Sequence, residues 1–442
     1  EQISRTILSN YCRQTRHSLG SLADHIISAT LYAVESCSKA LVEVENMPFF
    51  RFTFTEVKEI YLQMFSVSSD PMLSATRLEK VRAWLWACQE VLLRGAKNDL
   101  IQRRITEVVS YTCVKELLTN LSENAESPES DAGEIDVVSH LWPANMRKWF
   151  EMGDSPLIFS DILKGDGELI DVRKQWPEVC EKIVDSAEDF ASALEKSGTF
   201  SPDFLPVPIV LEQIARLAWL MREKSQHVLV HGQRQSGRKL MLENALYLGK
   251  VSSHTIFSHS QHPIAEMKQD FLQYLIHGSR KPHKCTFVEP SDLTLSKICA
   301  IIENGLALSE FSAVEQKSIE ERFQTRNASS ENIRLENIHE FLRLDMHAYS
   351  VVIVADSEAF QKSAIALPKL AQKFRCFSIR PWDAADLRAA ATMAMDRMGT
   401  ELPLDLTNIA PDVASAFHAV AEKEFASEYA GTWPLDSLSR NF

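Results

Sequence analysis

The sequence predicts an α/β fold built on a five-stranded parallel sheet and preceded by an all-helical unit. Three observations predict it. Short apolar segments alternate with amphipathic helical segments from about residue 208 onward. The first apolar segment runs into a glycine-bounded turn and then a helix, which is the layout of a phosphate-binding loop. Before about residue 120, helical periodicity is present without any alternation of strands and helices.

The phosphate-binding loop is predicted between Val228 and Leu240, where an apolar strand leads into Gly232 and a second glycine follows after four residues. In such loops, backbone N–H groups and the positive end of a helix hold phosphate oxygens. The usual signature is G-x-x-x-x-G-K-[ST]. Here Arg238 stands at the lysine position and keeps a positive charge for a phosphate. Lys239 stands at the position of the magnesium-binding hydroxyl and offers no metal ligand.

The loop therefore keeps the frame of a nucleotide site without its full chemistry. ATP hydrolysis requires magnesium, an acid that holds it and a base that activates water. We predict no catalytic residue and no metal ligand here. Two interpretations stay open: ATP or ADP bound without turnover, or an empty turn kept for packing with no cofactor. The candidate nucleotide-binding residues are Gly232, Gln233, Ser236, Gly237, Arg238 and Lys239.

Composition narrows the class of protein. A chain of 442 residues exceeds one ordinary core, so two or three domains are expected. The net charge of −13 argues against non-specific binding of nucleic acid, which needs a basic face. Eight scattered cysteines without a C-x-x-C pair predict buried, reduced thiols. No apolar run approaches the roughly 18 residues of a membrane span. The chain opens at Glu1 rather than Met, which we interpret as a part of a longer sequence.

Four regions are predicted along the chain. Residues 1–121 are helical, with Ile27, Leu31 and Val34 recurring at helical spacing. Residues 122–140 begin as an acidic, apolar-poor stretch, which predicts a solvated linker. Residues 141–400 form the α/β region, and residues 401–442 turn helical again.

Strands that alternate with helices predict a parallel sheet covered on both faces, with the phosphate loop at the carboxyl edge of its first strand. The charged run from Glu315 to Arg334 is predicted to be an exposed helical insertion. The predicted strands are Val228–Val230, Thr255–Ser258, Cys285–Glu289, Ser350–Ala355 and Arg375–Ile379. The predicted helices are Pro208–Arg222, Ile264–Ile276, Leu293–Leu306 and Ile333–Met346.

The order and spacing of these segments resemble the AAA+ ring of dynein heavy chains, from the end of the third module into the fourth. Arg51 to Leu93 resembles the closing helical lid of the third module. Pro156 to Leu163 resembles the P-L-x-F-x-D-F-L segment that opens the fourth. The serine–glycine–arginine form of the loop is more similar to axonemal dyneins than to the cytoplasmic motor. Further matching segments are the Pro208 helix, Ser236-Gly237-Arg238, Ile264 to Leu275, Ile302 to Leu306 and Glu336 to Leu342.

The resemblance assigns a role to each region. Residues 1–121 would be the helical lid subdomain of a preceding AAA+ module, and residues 122–140 the acidic linker. Residues 141–400 would be the AAA+ large α/β subdomain with a degenerate P-loop. Residues 401–442 would start the helical small subdomain.

Several signature positions of the family hold other residues here. At the third strand, the metal-holding acid falls on Ser291, with Glu289 and Asp292 displaced from it. After the fourth strand, the sensor position falls on Asp356, which we expect to face the phosphate. The positions of the lid's sensor arginine and of its histidine–glutamate pair hold Thr55, Trp86 and Ala87.

The resemblance implies a non-hydrolysing structural and regulatory module in the ring of a microtubule-motor complex of cilia or flagella. It implies a location in the cytoplasm and on the cytoskeleton. The implied partners are proteins, with neither nucleic acid nor membrane among them. Those partners are neighbouring AAA+ modules of the same heavy chain, other dynein or axonemal subunits, and microtubules indirectly. The parent protein would carry any dynein-type ATPase elsewhere. Two alternatives stay open: an inert dynein-related scaffold or assembly subunit, and an ATP-binding AAA+ remodelling enzyme.

Other conspicuous residues have structural interpretations. His254, His259 and His262 flank the second strand, but their spacing fits no standard metal site, so surface histidines are predicted. No Ser–His–Asp or Cys–His arrangement is supported by spacing alone. Core packing is predicted for the tryptophans Trp84, Trp86, Trp142, Trp149 and Trp219.

Overall fold

The computed structural model divides the chain into two compact units, residues 1–179 and 180–442, and each is considered by itself. The predicted boundaries near residues 121, 140 and 400, together with the acidic linker, the tail, Trp142 and Trp149, lie outside the described residues. Those described are 2–15, 19, 22–45, 54–66, 77–93, 99–118, 158–163, 169–172, 175–197, 204–223, 226–233, 236–277, 283–329, 337–367, 373–380, 382, 386–390 and 392–393.

The described part of the first unit is helical up to residue 118, as predicted. A π-helical turn, Cys113–Leu118, follows its fifth helix. Two short strands, β1 (Phe159–Ser160) and β2 (Ile170–Asp171), pair antiparallel. The helices are α1 (Gln2–Thr15), α2 (Leu22–Glu45), α3 (Phe54–Ser66), α4 (Arg77–Leu92) and α5 (Asp99–Thr112).

Helix α4 is the core of the first unit. It is buried on every side from Val81 to Cys88, because α2, α3 and α5 all pack against it. The indole Nε1 of Trp84 donates to Oγ1 of Thr30 at 2.9 Å, which satisfies a polar group that would be costly to bury alone. The ring of Trp86 packs against Phe159 with 5.1 Å between centroids. The predicted packing role of these two tryptophans is confirmed.

The second unit alternates strands and helices, as predicted. Helix α6 (Trp176–Lys196) crosses the boundary between the units. The strands are β3 (Val228–Gly232), β4 (Ser252–Phe257), β5 (His283–Val288), β6 (Ser350–Asp356) and β7 (Arg375–Ser378). The helices are α7 (Pro208–Arg222), α8 (Arg238–Leu248), α9 (Pro263–His277), α10 (Asp292–Asn304), α11 (Ala313–Ser329), α12 (Ile338–Ala348) and α13 (Ser357–Ala366).

The five strands form one parallel sheet in the order β4–β5–β6–β3–β7, which confirms the predicted fold class. Strand β3 lies between β6 and β7, so that Leu229 faces Ile353 on one side and Cys376 on the other. Because all strands run the same way, the loop after β3 shares one sheet edge with the residues that follow β5 and β6.

Both faces of the sheet are covered. Leu229 and Ile353 belong to an apolar cluster with Phe271 of α9, Ile298 of α10 and Phe341 of α12. The alternate strand residues are also buried, although they lie outside that cluster. Helix α7 packs against α8, and α8 contacts β3. Burial on both faces explains why the central strands are continuous apolar runs rather than alternating ones.

Each of the five strands differs from its predicted range by one to three residues at one end or both, and two of these differences have a clear physical reason. Strand β4 begins at Ser252 rather than Thr255, because its first residues are exposed at a sheet edge and carry no apolar signal. Strand β5 ends at Val288 rather than Glu289, because the backbone of Glu289 turns into the left-handed region with φ of 50°.

Helices α9 and α10 differ from their predicted ranges by one or two residues at each end, and two other helices differ in a more informative way. The charged insertion is a helix, α11, but it is not wholly exposed, because Ile319 is buried in the apolar cluster and Phe323 packs against it. Helix α12 begins at Ile338, since the Asn337 side chain accepts from the Glu340 N–H at 2.8 Å. The predicted start at Ile333 lies outside the described residues.

Among the cysteines whose side chains are described, the free thiols are Cys37, Cys88, Cys113, Cys180, Cys285, Cys299 and Cys376. Burial raises the pKa of the Cys37 thiol to about 12 and that of the half-buried Cys180 thiol to about 11. These are packing residues rather than reactive ones. Separately, no helix among the described residues combines the length and apolarity needed to cross a bilayer.

Candidate functional site

The loop after β3 has the predicted strand–turn–helix geometry. Gly232 ends the strand, Gly237 takes a left-handed conformation with φ of 74°, and α8 begins at Arg238. The N–H of Ser236 donates to the carbonyl of Gln233 at 3.2 Å and so closes the turn. Residues 234 and 235 lie outside the described residues. The six predicted site residues therefore lie together in this loop and the first turn of α8, at the carboxyl edge of the sheet.

Gly232 is required by close approach. A Cβ there would lie 2.9 Å from Cβ of Ile379 and 2.9 Å from Oγ of Ser236. We expect Gly232→Ala to lower the free energy of unfolding by about 1–3 kcal/mol, the usual cost of overpacking. Urea denaturation would measure this. In a Ser236→Ala background, which removes one of the two clashes, the same change should cost less; an equal cost in both backgrounds would contradict the steric explanation.

Arg238 is turned into its own loop. The residue is 7% exposed. Its Nη1 donates to the carbonyl of Gly232 at 3.2 Å and to that of Gln233 at 2.6 Å, and its Nη2 forms an ion pair with Oε1 of Glu289. A guanidinium remains charged at any physiological pH, so a buried one must have acceptors. The charge predicted to meet a phosphate is instead satisfied by the protein itself.

Glu289 comes from the end of β5. Its N–H donates to the carbonyl of Val354 in β6 at 2.8 Å, which holds the residue between the ends of two strands. The carboxylate is half exposed and reaches the first turn of α8. Sequence reasoning noted this acid as displaced but missed the partner, because nothing in the sequence shows where a left-handed residue directs its side chain.

Lys239 belongs to the outer side of α8. Its Nζ lies 3.6 Å from Oε1 of Glu243, one turn along the helix, and 4.7 Å from the centroid of the Phe257 ring. Burial raises the pKa of the Glu243 carboxyl, and the lysine partly offsets that effect. Lys239 therefore interacts along its own helix and across to β4.

The other polar residues that the family comparison of the sequence singled out at this edge have structural roles. Asp356 was expected to face the phosphate; instead its Oδ1 caps α13 by accepting from the N–H groups of Glu358 at 3.0 Å and Ala359 at 3.4 Å. Ser291 caps α10 by accepting from Thr294 at 3.3 Å. Asp292 accepts from the hydroxyl of Ser363 at 2.5 Å. The correction for Asp356 has a simple reason: an aspartate just before a helix satisfies its first N–H groups.

His231 is a buried neighbour of the loop that sequence reasoning did not single out. Burial, together with the charge of Arg238, lowers its pKa to about 4. Its Nδ1 lies 3.3 Å from Oγ of Ser357, and its ring stacks on Phe360 with 4.8 Å between centroids. The imidazole is therefore neutral at physiological pH. The sequence did contain a signal for this buried histidine, because His231 lies in an apolar strand directly before Gly232.

Two polar atoms of the loop are buried and, among the described residues, have no hydrogen-bond partner: Oε1 of Gln233 and Oγ of Ser236. They line a turn whose glycines and helix N-terminus suit an anion. However, the Glu289 carboxylate already forms an ion pair with the Arg238 guanidinium, which is the cation that a phosphate would bind. In this arrangement the residues do not fit a phosphate group, so no nucleotide step is derived from them.

A second polar cluster lies at the opposite, amino end of the strands. His283 contacts Oγ of Ser252 through Nδ1 at 3.0 Å and Oδ2 of Asp270 through Nε2 at 2.8 Å. The hydroxyl of Tyr349 also donates to that Asp270 oxygen. Spacing had not suggested this Ser–His–Asp contact. A cleft of about 380 Å³ lies at the other end of these strands, where residues such as Phe257 and Val288 line it, so the cluster does not border it. The cluster therefore ties α9 to the sheet.

The three histidines are at the surface and Trp219 is in the core, as predicted. His254, His259 and His262 are exposed, and the described residues contain no group of three or more potential metal ligands. Trp219 is buried in α7, with the Arg375 guanidinium 4.7 Å from its ring centroid.

One of the comparisons with known proteins, a match to a family model, agrees with the loop and the sheet. A family model described as the P-loop containing dynein motor region D4 matches residues 207–433, more than half of the chain. No curated protein matches the sequence. One similar solved structure is a closed-state cryo-EM reconstruction of Hsp104 with ATPγS and FITC casein. That match has 13% identity, covers 91% of this chain and 66% of that one, and has a TM-score of 0.31.

A TM-score at that level says nothing about function. The family match stands on its own, because it spans the glycine-bounded loop and all five parallel strands. The chain thus belongs to the dynein motor region D4 family and carries its α/β P-loop module of the AAA+ class.

Proposed function

We propose that the chain is a non-hydrolysing structural and regulatory sector of the AAA+ ring of a dynein heavy-chain-like protein of cilia or flagella. One observation carries the proposal: the P-loop cation, Arg238, is bonded to its own loop and paired with Glu289. Without a hydroxyl at Lys239, the loop also lacks the usual magnesium ligand. Catalysis of phosphoryl transfer is almost entirely positioning and charge stabilisation, and both are missing from this loop.

The proposed role is mechanical. Family membership implies further AAA+ modules in the same heavy chain, and this module would transmit strain between its neighbours. Microtubules, other dynein or axonemal subunits and a location on the ciliary cytoskeleton follow from that role as parts of the proposal. The ATP that drives movement would be hydrolysed in another module of the parent protein.

A second candidate is an inert dynein-related scaffold or assembly subunit. It is favoured by the first unit, where the family's histidine–glutamate positions hold Trp86 and Ala87. Both are buried, and Trp86 packs on Phe159. These positions stabilise a core rather than offering polar groups to a nucleotide. A microtubule-gliding assay with the full-length heavy chain separates the candidates, because only a working motor moves microtubules.

Steady-state phosphate release by the purified chain, with and without magnesium, tests the absence of hydrolysis. We expect no turnover above the buffer rate and no change in Arg238→Ala, because the guanidinium takes no part in a reaction. Lys239→Ala is the matched control on the outer side of the same helix. Magnesium-dependent turnover that falls in Arg238→Ala alone would refute the proposed function.

The cofactor is tested separately by titrating labelled ATP and ADP. We propose that the loop is a packing element, for which no binding is expected at millimolar nucleotide. Binding that ignores magnesium but requires Arg238 would instead establish a nucleotide held without turnover. Either result is compatible with a non-hydrolysing module, so this titration decides only the state of the loop.

A further inference from the structure

The Arg238–Glu289 pair places a carboxylate where an anionic ligand would meet the loop cation. The arginine side chain is 8% exposed and the glutamate side chain is 50% exposed. The pair thus has a buried cation and an anion reachable from solvent. Arginine binds carboxylates and phosphates through the same forked geometry, so the two anions are direct competitors for one guanidinium.

The backbone holds Glu289 in place at a cost. Among the described residues, only Lys250 and Glu289 have positive φ without being glycine. A left-handed glutamate is unfavourable and persists only where its surroundings fix it. Here the fixing contact is the 2.8 Å hydrogen bond from its N–H to the carbonyl of Val354. Strain of this kind at a ligand edge points to a constraint beyond simple packing.

The rest of the loop keeps the features of an anion site. Ser236 is 7% exposed, and its Oγ is buried without a hydrogen-bond partner among the described residues. Gly237 directly precedes α8 in a left-handed conformation and has no side chain to cap the helix. The first N–H groups of α8 therefore point toward the loop. A hydroxyl donor and a helix N-terminus therefore remain beside the neutralised guanidinium.

We propose that Glu289 is an internal counter-anion that keeps phosphate groups out of this loop, and that its removal creates a binding site for phosphates and nucleoside diphosphates. The proposal rests on the proposed function, in which the module does not hydrolyse ATP. It names Glu289 as the residue whose carboxylate occupies the cation that a phosphate would otherwise bind. Because Lys239 replaces the metal-binding hydroxyl, binding to the opened loop does not depend on magnesium.

The test measures the affinity of the whole chain for pyrophosphate and for ADP by calorimetry, with and without magnesium. In Glu289→Gln we expect affinity to rise by at least about tenfold, the effect of freeing one charge-assisted contact. The control is Glu243→Gln, which removes the same charge from the Lys239 pair on the outer side of α8 and should leave affinity unchanged. Adding Arg238→Ala to Glu289→Gln should abolish the gain.

Glu289→Gly guards against a folding failure, because it removes the carboxylate and relieves the positive φ. It should show the same gain. Equal affinity of wild type and both Glu289 variants would overturn the proposal, as would tight, Arg238-dependent binding by the wild-type chain. ATP turnover by the wild-type chain would overturn the proposed function, whereas the ratio of variant to wild-type affinity still decides the role of Glu289.

Discussion

Between pH 7 and pH 10, the free energy of unfolding of wild type is expected to rise relative to that of Lys284→Met by about 3–4 kcal/mol. Lys284 lies in β5 and is fully buried. Its Nζ donates to the carbonyls of Glu223 at 2.8 Å and Gln226 at 3.2 Å, just after α7. Burial lowers its pKa to about 7, and the charge of Glu223 opposes that shift.

The direction follows from proton counting. Between pH 7 and 10.5, the unfolded chain holds a proton on this lysine that the folded chain has lost. Stability therefore rises with pH in that window, by up to about 1.4 kcal/mol per unit. Below pH 7, both states are charged and the cost of burying the ammonium is fully present. Methionine does not titrate, so the variant lacks this slope.

Urea denaturation at pH 7, 8, 9 and 10 would measure the difference. It must be a difference between chains, because buried thiols such as Cys37 ionise in the unfolded chain first and lower stability at alkaline pH in both. Lys297→Met, at an exposed position of α10, is the control and should run parallel to wild type. Parallel curves for Lys284→Met would show that the buried amine does not change protonation on unfolding.

The second large effect is expected at acid pH. Wild type should lose about 3 kcal/mol more stability than His231→Gln as pH falls from 6.5 to 4. Burial beside Arg238 lowers the pKa of His231 to about 4 from an ordinary 6.5. Between pH 6.5 and pH 4, His231 binds a proton in the unfolded chain but not in the folded chain. The free energy of unfolding therefore falls as pH falls. Glutamine is neutral throughout, and its side-chain amide offers both a donor and an acceptor for a hydrogen bond with Ser357.

Denaturation midpoints measured at half-unit steps from pH 7 to pH 4 would show this, provided that each chain unfolds reversibly. The same substitution at His254, which is exposed on the edge strand, should leave the acid slope unchanged. If His231→Gln and wild type lose stability equally, the histidine titrates normally and its burial is not what keeps it neutral.

The order of strands and helices and the position of the loop could be predicted from the sequence, whereas the directions of individual side chains could not. The central strands could be predicted because burial on both faces makes them continuous apolar runs. The start of β4 could not, because Ser252 and its neighbours are exposed at a sheet edge. The loop was recognisable from Gly232 and Gly237, whose positions are fixed by close approach and by a left-handed φ.

The chemistry of the loop depended on facts that lie outside any local pattern. Arg238 carries the charge that the sequence shows, but its partner Glu289 is 51 residues away and is aimed by one unusual backbone angle. Asp356 was expected to face the phosphate because of its place after the fourth strand. It also directly precedes a helix, and in the structure its side chain caps that helix. Lys284 lies just before the predicted strand Cys285–Glu289, and only the three-dimensional structure shows that it is buried in β5 with carbonyl acceptors after α7.

The position of β3 in the sheet also has a consequence for synthesis of the protein. Its two neighbours, β6 and β7, begin at Ser350 and Arg375, more than a hundred residues further along the chain. At ribosomal speeds of about 5–20 residues per second, the apolar segment Val228 to Val230 waits on the order of ten seconds for either partner. Throughout that interval both of its hydrogen-bonding edges are open, which is the condition for pairing with other chains. A nascent chain stopped before residue 350 is therefore the species in which chaperone binding or aggregation at β3 would first be observed.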